Sequence, residues 1–378
     1  MGQMAFLSEG RINLLDAADA SVRLLDCKIA EKYRERDREI RLKNEWKKSG
    51  MGAMFTGSYS PDASAPDIRL PITGLSQGID DRLVYAINFE KGGGIYFKRQ
   101  NVEDPETPIL VNTTTSFFEL DVNPSGRIAV SCAENYLERH IALLKTDDSF
   151  MQDITEGESS DYNPKWSLKN ENILYYDSAG IAYSAAGHFA GFGPRSIYRL
   201  DIITGEFDEI LASPKFDYIC PWEDKDGNLY FIRRPYKQNA AKMSVFDYLT
   251  APFKVLRAIG GWLDLFTRRY TGESLKTSGA NPAKTNTKSP QQIYIDGNML
   301  EAEKTLKKNA AAGDKNPGYA PPDWELMVKT PSGEETVLQK SVMSYCVTKN
   351  GIAHSNGKYV ILNGQVVKVH LAAKLVSC

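Results

Sequence analysis

Four turns limit what this chain can fold into. They fall at Gly126, Asn170, Gly227 and Gly351, each between two short apolar runs, at intervals of 44, 57 and 124 residues. A four-stranded antiparallel blade repeats every 40–45 residues or so, roughly the first interval. The second interval is one such unit lengthened by the connection from Ile181 to Ser196. The third is one unit plus about 80 residues. Those belong between Arg234 and Pro322, where strand alternation disappears.

The clearest unit begins at Asp161-Tyr162-Asn163-Pro164-Lys165-Trp166-Ser167, read as a turn carrying a proline and a tryptophan. Apolar runs at Ile173–Ser178 and Ile197–Ile203 follow, then a Thr204-Gly205 hairpin and a third run, Phe207–Leu211. Short runs rich in β-branched and aromatic residues between turn residues are strands. Counting such units gives six, one from the strands at Met4–Leu7, Arg11–Leu15 and Ser21–Leu25. The others begin near Leu83, Phe118, Tyr162, Tyr218 and Ser344. The tail from His370 to Val376 alternates weakly and reads as a strand that pairs with the N-terminal strands. Such pairing would close a ring of sheets that otherwise leaves two long edges unpaired. The expected fold is all-β, a six-bladed β-propeller occupying residues 1–378 as a single domain.

Two segments break the pattern. Residues 26–48, read as a helical insertion in the first blade, hold no glycine or proline and form a helix. From Lys28 to Lys48 it carries nine basic and five acidic residues, the composition of a solvated, ion-paired face. Residues 235–321 read as a helical and flexible insertion in the fifth blade. Within it Phe253, Leu256, Ile259, Trp262, Leu263 and Phe266 make a broad apolar arc, with Arg257, Arg268 and Arg269 among the cations nearby. An amphipathic helix of this kind either covers its own domain or docks on a partner or an anionic membrane surface. These nine residues are the docking candidates. A second short helix is expected over Leu300–Ala312.

The unit built from Asn163-Pro164-Lys165-Trp166-Ser167, Ile173–Ser178 and Ile197–Glu206 resembles the propeller repeat of TolB-like proteins. That repeat has a Pro-x-Trp-Ser turn, an Ile-x-Phe/Tyr strand and an Ile-Tyr-x-x-Asp-x-x-Thr-Gly hairpin. The resemblance is good in this unit and partial around Pro124, Pro221 and Gly351. It spans Leu83 to Gln365 without the insert. Leu168-Lys169-Asn170 replaces the family's Pro-Asp-Gly turn, and Trp222 stands one position early relative to its proline. The resemblance implies a six-bladed propeller serving as a binding platform, or the lid of a peptidase. A fold alone does not fix an activity.

Motifs for chemistry are sparse. No Gly-x-Ser-x-Gly elbow or Gly-Lys-Ser/Thr phosphate loop occurs, so no catalytic residue is assigned and no cofactor is expected. Gly187–Pro194 is glycine-rich but no helix follows it. It reads as an exposed loop offering His188, Phe189 and Phe192. Asp224–Asn228 looks like the start of a calcium loop but lacks the later glutamate, and is read as a hairpin turn. Neither His140, His188, His354 nor His370 has a partner at ligand spacing, so no metal site is expected. The five cysteines, Cys27, Cys132, Cys220, Cys346 and Cys378, lie far apart without CxxC pairs, and are expected to be reduced. A net charge of −2 argues against nucleic acid. The expectation is a cytoplasmic platform for a protein partner, peripheral to the inner face of a membrane through the insert. The alternative is a hydrolase or lyase working at the mouth of the propeller channel.

Overall fold

The computed structural model describes residues 3–16, 19–44, 72–89, 91–100, 104–135, 137–146, 148–183, 189–237, 292–295, 298–348 and 351–377. Their strands form six sheets of four or five strands and one separate hairpin, arranged as a six-bladed β-propeller. The first blade orders β27 (Lys374–Ser377), β1 (Gln3–Ser8), β2 (Arg11–Asp16) and β3 (Ser21–Leu24). Blade two contains β4 (Ile72–Gln77), β5 (Arg82–Asn88), β6 (Gly93–Arg99) and β7 (Thr107–Asn112). Blade three contains β8 (Ser116–Val122), β9 (Arg127–Ala133), β10 (His140–Lys145) and β11 (Asp148–Asp153). The fourth has β12 (Ser159–Trp166), β13 (Ile173–Tyr183), β15 (Ser196–Asp201) and β16 (Phe207–Leu211), with β14 (Phe189–Phe192) paired to the far end of β13.

In blade five, β17 (Phe216–Glu223) and β18 (Leu229–Pro235) are separated in sequence from β21 (Glu325–Lys329) and β22 (Glu335–Lys340) by the insertion. The described part of that insertion is the hairpin of β19 (Gln292–Ile295) and β20 (Asn298–Glu301), then helix α2 (Ala302–Ala311). Sequence reading anticipated the helix and missed the hairpin. Blade six contains β23 (Ser344–Thr348), β24 (Gly351–Ser355), β25 (Tyr359–Leu362) and β26 (Gln365–Lys368). Residues 27–44 belong to a unit apart from the one that holds the six blades; they include α1 (Lys28–Asn44), where Glu31 and Arg34 pair at 2.5 Å.

Three sequence expectations need correction. Blade two begins at Ile72, not Leu83. The stretch from Asp161 to Trp166 is not a turn but the bulged first strand of its blade. Its register shifts between Tyr162 and Lys165, and Asn163 sits at φ 49°. Residues 189–192 are not a loop but strand β14, because β13 runs beyond Ser178 to Tyr183 and pairs back on them.

The innermost strands of adjacent blades pack side by side from blade six through blade one to blade five. They approach closely at Gly74, where an added Cβ would lie 2.0 Å from the Phe118 carbonyl oxygen. Only glycine admits that approach. Apolar clusters fill the spaces between blades. Val84, Ile95, Leu120 and Ile128 join blades two and three, and Ala129, Ile141, Trp166 and Leu174 join three and four. Ile173, Tyr175, Leu229 and Phe231 join blades four and five.

Hydrogen bonds stitch each blade to the next at one end of the ring. In five blades, the carbonyl just before the third strand accepts an N–H from the chain of the following blade. These bonds are Ile72 N to Gly10 O (3.4 Å), Asp161 N to Arg139 O (2.9 Å), Tyr218 N to Arg195 O (3.0 Å), Val342 N to Trp324 O (3.0 Å) and Val369 N to Lys358 O (2.9 Å). A polar side chain of the second strand adds a further bond. Phe117 N donates to Asn88 Oδ1 (2.7 Å) and Ser131 Oγ to the Asp161 carbonyl (2.7 Å). Cys220 N donates to Asp177 Oδ1 (3.0 Å) and Ser355 Oγ to the Ala372 carbonyl (3.0 Å).

The ring closes where β27 pairs antiparallel with β1, from Met4 opposite Ser377 to Leu7 opposite Lys374. Removing residues 374–378 takes away the innermost strand of blade one and bares an edge on β1. The truncated protein should melt at least several degrees lower and associate as its concentration rises. An unchanged melting temperature in calorimetry would show that the ring is not held by this closure.

Candidate functional site

The end of the ring carrying these stitches also gathers the charged side chains of blades three, four and five. Arg139 and Arg195 each stand immediately before a third strand, at the residue whose carbonyl is bonded to the next blade. Their backbones are therefore fixed before their side chains are considered. The Arg139 guanidinium carbon lies 3.6 Å from the centre of the Phe118 ring and 4.9 Å from that of Tyr162. The Arg195 guanidinium carbon lies 3.6 Å from the same Tyr162 ring. A cation over an aromatic face is attracted by the ring quadrupole, by ~0.5–2 kcal/mol depending on desolvation. Two arginines and two rings thus alternate across the first strands of two blades.

Buried carboxylates continue the array. Arg195 Nη1 donates to Asp177 Oδ2 at 3.0 Å, with the two side chains 7% and 0% exposed. Asp177 Oδ1 accepts from Asn163 Nδ2 (2.9 Å) and from Cys220 N (3.0 Å). Asn163 and Cys220 occupy corresponding bulges in β12 and β17, each preceding a proline at positive φ, 49° and 56°. Each bulge brings a donor to Asp177: β17 turns the Cys220 backbone N–H to it, and β12 the side-chain amide of Asn163. Asp217 Oδ1 accepts the Arg195 N–H (3.0 Å) and Oδ2 accepts Arg234 Nε (3.1 Å). Arg234 in turn lies 5.0 Å from the Trp324 ring centre. Trp324 occupies in blade five the place that Arg139 and Arg195 hold in theirs, just before the third strand.

Glu119 differs from the other carboxylates. Its contact with Arg139 is 3.6 Å, too long for a hydrogen bond, and its Oε2 is sealed from solvent without a hydrogen-bond partner among the described residues. The Arg139 side chain keeps 21% of its surface exposed. It is the most exposed of the three arginines.

Two groups at this end have perturbed acidities. Burial raises the Asp161 carboxyl above its ordinary range, while hydroxyl donors Ser178 and Thr155, both at 2.5 Å, pull it back. Burial, Asp153, Glu134 and Asp161 push the Cys132 thiol up to about 12. A thiol held protonated in this way is no nucleophile. Asp161 is 2% exposed and both its oxygens are occupied, so it holds strands together rather than reaching a substrate. Among the described residues no group of three histidine, cysteine or acidic side chains is placed to hold a metal ion. The described cysteines form no disulfide with one another.

None of these ring-end residues was marked out in the sequence as a site residue. The docking candidates Phe253, Leu256, Arg257, Ile259, Trp262, Leu263, Phe266, Arg268 and Arg269, and the loop residue His188, lie outside the described residues. Phe189 and Phe192 lie on β14, half-buried with ring centres 5.1 Å apart. The available signal was local. Asp177 ends the apolar run Ile173–Tyr176, Arg234 stands two residues after the run Leu229–Ile232, and an arginine precedes the third strand in two consecutive blades.

The solved structures similar to this chain include TolB from Acinetobacter baumannii, at 11% identity and TM-score 0.45, covering 100% of this chain and 81% of that one. A protein described as TolB from Agrobacterium tumefaciens is 14% identical at TM-score 0.41, covering 63% of this chain and 68% of that one. A gluconolactonase from Xanthomonas campestris is 13% identical at TM-score 0.36, covering 60% and 66%. No family model matches the chain, and no curated protein matches it by sequence.

Replacing Asp177 with alanine leaves the Arg195 charge and the Cys220 N–H without this acceptor. The loss should be about 3–5 kcal/mol in urea unfolding, as when one partner of a buried ion pair is removed. A loss below about 1 kcal/mol would mean that the pair contributes little. His354 makes a separate pH prediction. Burial holds its pKa below the usual 6.5. The neutral ring suits the fold, so its contribution is present above pH 6.5 and is lost as pH falls through the lowered folded value. Melting temperature should therefore drop less between pH 7 and 5 in His354→Gln than in the wild type, and identical slopes would refute the assignment.

Proposed function

We propose that this propeller is a binding platform for a protein partner, which docks at the ring end carrying Arg139, Arg195 and Arg234. The observation that carries this reading is the continuous array of arginines, each set over an aromatic ring and facing a carboxylate, across three consecutive blades. Arginine stays charged at every physiological pH, so it recognises and orients rather than shuttling protons. Arginine and large aromatic residues are also the side chains most enriched where protein interfaces draw their affinity. A cytoplasmic location, and a peripheral membrane contact through residues 246–270, belong to the same proposal and rest on the sequence alone.

Site-specific photo-crosslinking tests the docking face. Tyr183, 38% exposed, lies on the part of β13 that extends past this end of blade four, whereas Val337 lies on the outer strand β22. A benzophenone side chain at position 183 should capture the partner in extracts of the native host, and one at position 337 should not. Capture only from position 337, or from neither, would remove the ring end as the docking face. Deleting residues 246–270 should abolish sedimentation with anionic liposomes without lowering the melting temperature. A wild-type protein that ignores such liposomes would refute the membrane contact.

A further inference from the structure

We infer that Arg139 receives a carboxylate from the docked partner; this rests on the platform reading and adds the chemistry of the recognised group. The three arginines of the ring end differ in how their donors are used. Arg195 and Arg234 donate to Asp177 and Asp217 at 3.0 and 3.1 Å, and their side chains are 7% and 2% exposed. Arg139 is 21% exposed, and among the described residues its guanidinium makes no hydrogen bond. Its nearest acid, Glu119, stands at 3.6 Å. A guanidinium carries five N–H donors in a rigid fork, and a fork without hydrogen bonds at a half-open position is matched by an oxyanion arriving in its plane.

The surroundings fix how that group is presented and what it accepts. Contact with the Phe118 and Tyr162 rings restrains the plane of the guanidinium, so little rotational freedom remains to be lost on binding. The Arg139 backbone is held on both sides, its N–H donating to the Ser159 carbonyl at 3.3 Å and its own carbonyl accepting from Asp161 at 2.9 Å. Glu119 decides the charge. With it the local pair is neutral, so an incoming dianion meets a carboxylate a few ångströms away with little positive charge to spare. A planar monoanion is the better match, because it takes two parallel bonds while adding one charge. A carboxylate has that shape and charge and a phosphate monoester does not. Such a group is supplied either by the C-terminus of a peptide or by an acidic side chain.

Calorimetric titration with three blocked peptides and inorganic phosphate separates the sources. N-acetyl-tetraalanine with a free C-terminus offers only the terminal carboxylate, amidated N-acetyl-tetraglutamate only side-chain carboxylates, and amidated N-acetyl-tetraalanine neither. At least one of the first two should bind and the third should not. Arg139→Gln should weaken that binding by about tenfold or more, and Arg139→Lys, which keeps the charge but loses the fork, by an intermediate factor. Glu119→Gln should tighten it severalfold by removing the competing carboxylate. The Arg139→Lys and Glu119→Gln variants keep the test meaningful if Arg139→Gln proves unstable in a melting scan. The proposal is overturned if neither carboxylate peptide binds at millimolar concentration, if Arg139→Gln binds as the wild type does, or if phosphate binds more tightly than both. Continued cross-linking through position 183 alongside any of those results would leave the platform standing and remove only the carboxylate.

Discussion

Asp177 is the point at which three strands of two blades are tied. One of its oxygens accepts from Asn163 of β12 and from the Cys220 N–H of β17, and the other from Arg195. A fully buried carboxylate is costly to desolvate and persists only where donors compensate it. Here the donors come from both sides of the gap between blades four and five. The separation of those blades is thereby limited to hydrogen-bond length at this end. Apolar packing fills the rest of the gap but is non-directional and sets no such distance. Asp121 does comparable work further along the ring, accepting from Ser76 of β4, Lys165 of β12 and the Trp166 N–H.

The same acids that order the blades also order the arginines. Arg195 can lie over Tyr162 because Asp177 holds its far side and Asp217 holds its backbone N–H. The ring end is therefore held rigid by its own side chains. Rigid, pre-oriented side chains lose less entropy on association than mobile ones, which is how a small number of contacts yields affinity.

Much of the blade pattern was legible in the chain because its determinants are local. Gly126, Gly227 and Gly351 all have positive φ at the predicted turns, and the glycine that permits this is visible in one position of sequence. The bulges were misread for a related reason. Asn163-Pro164 carries the same residue chemistry in a strand as in a turn, and only pairing with β13 distinguishes the two. The β13–β14 hairpin was hidden by a glycine-rich composition that describes loops as well as it describes a twisted edge strand. The ring-end array was legible only as separate local signals, not as an array. Arg139, Tyr162 and Arg195 come together only when blades three and four are set side by side, and no spacing rule within one blade encodes that meeting.

The pairing of β27 with β1 has a consequence for how the molecule comes into being. Blades two to four are each drawn from one continuous stretch of chain, so each of those sheets can assemble as soon as its own residues are available. Blade one joins Met4 to Ser377, nearly the whole length of the sequence apart. Contacts between distant parts of a chain are the slow ones, because the loop entropy is lost before the contact repays it. During synthesis β1, β2 and β3 are made before the strands of the other five blades, yet their sheet lacks its inner member until β27 follows them all. The nascent chain thus carries an incomplete blade while the other five are made, and the native circle is sealed only once β27 has emerged.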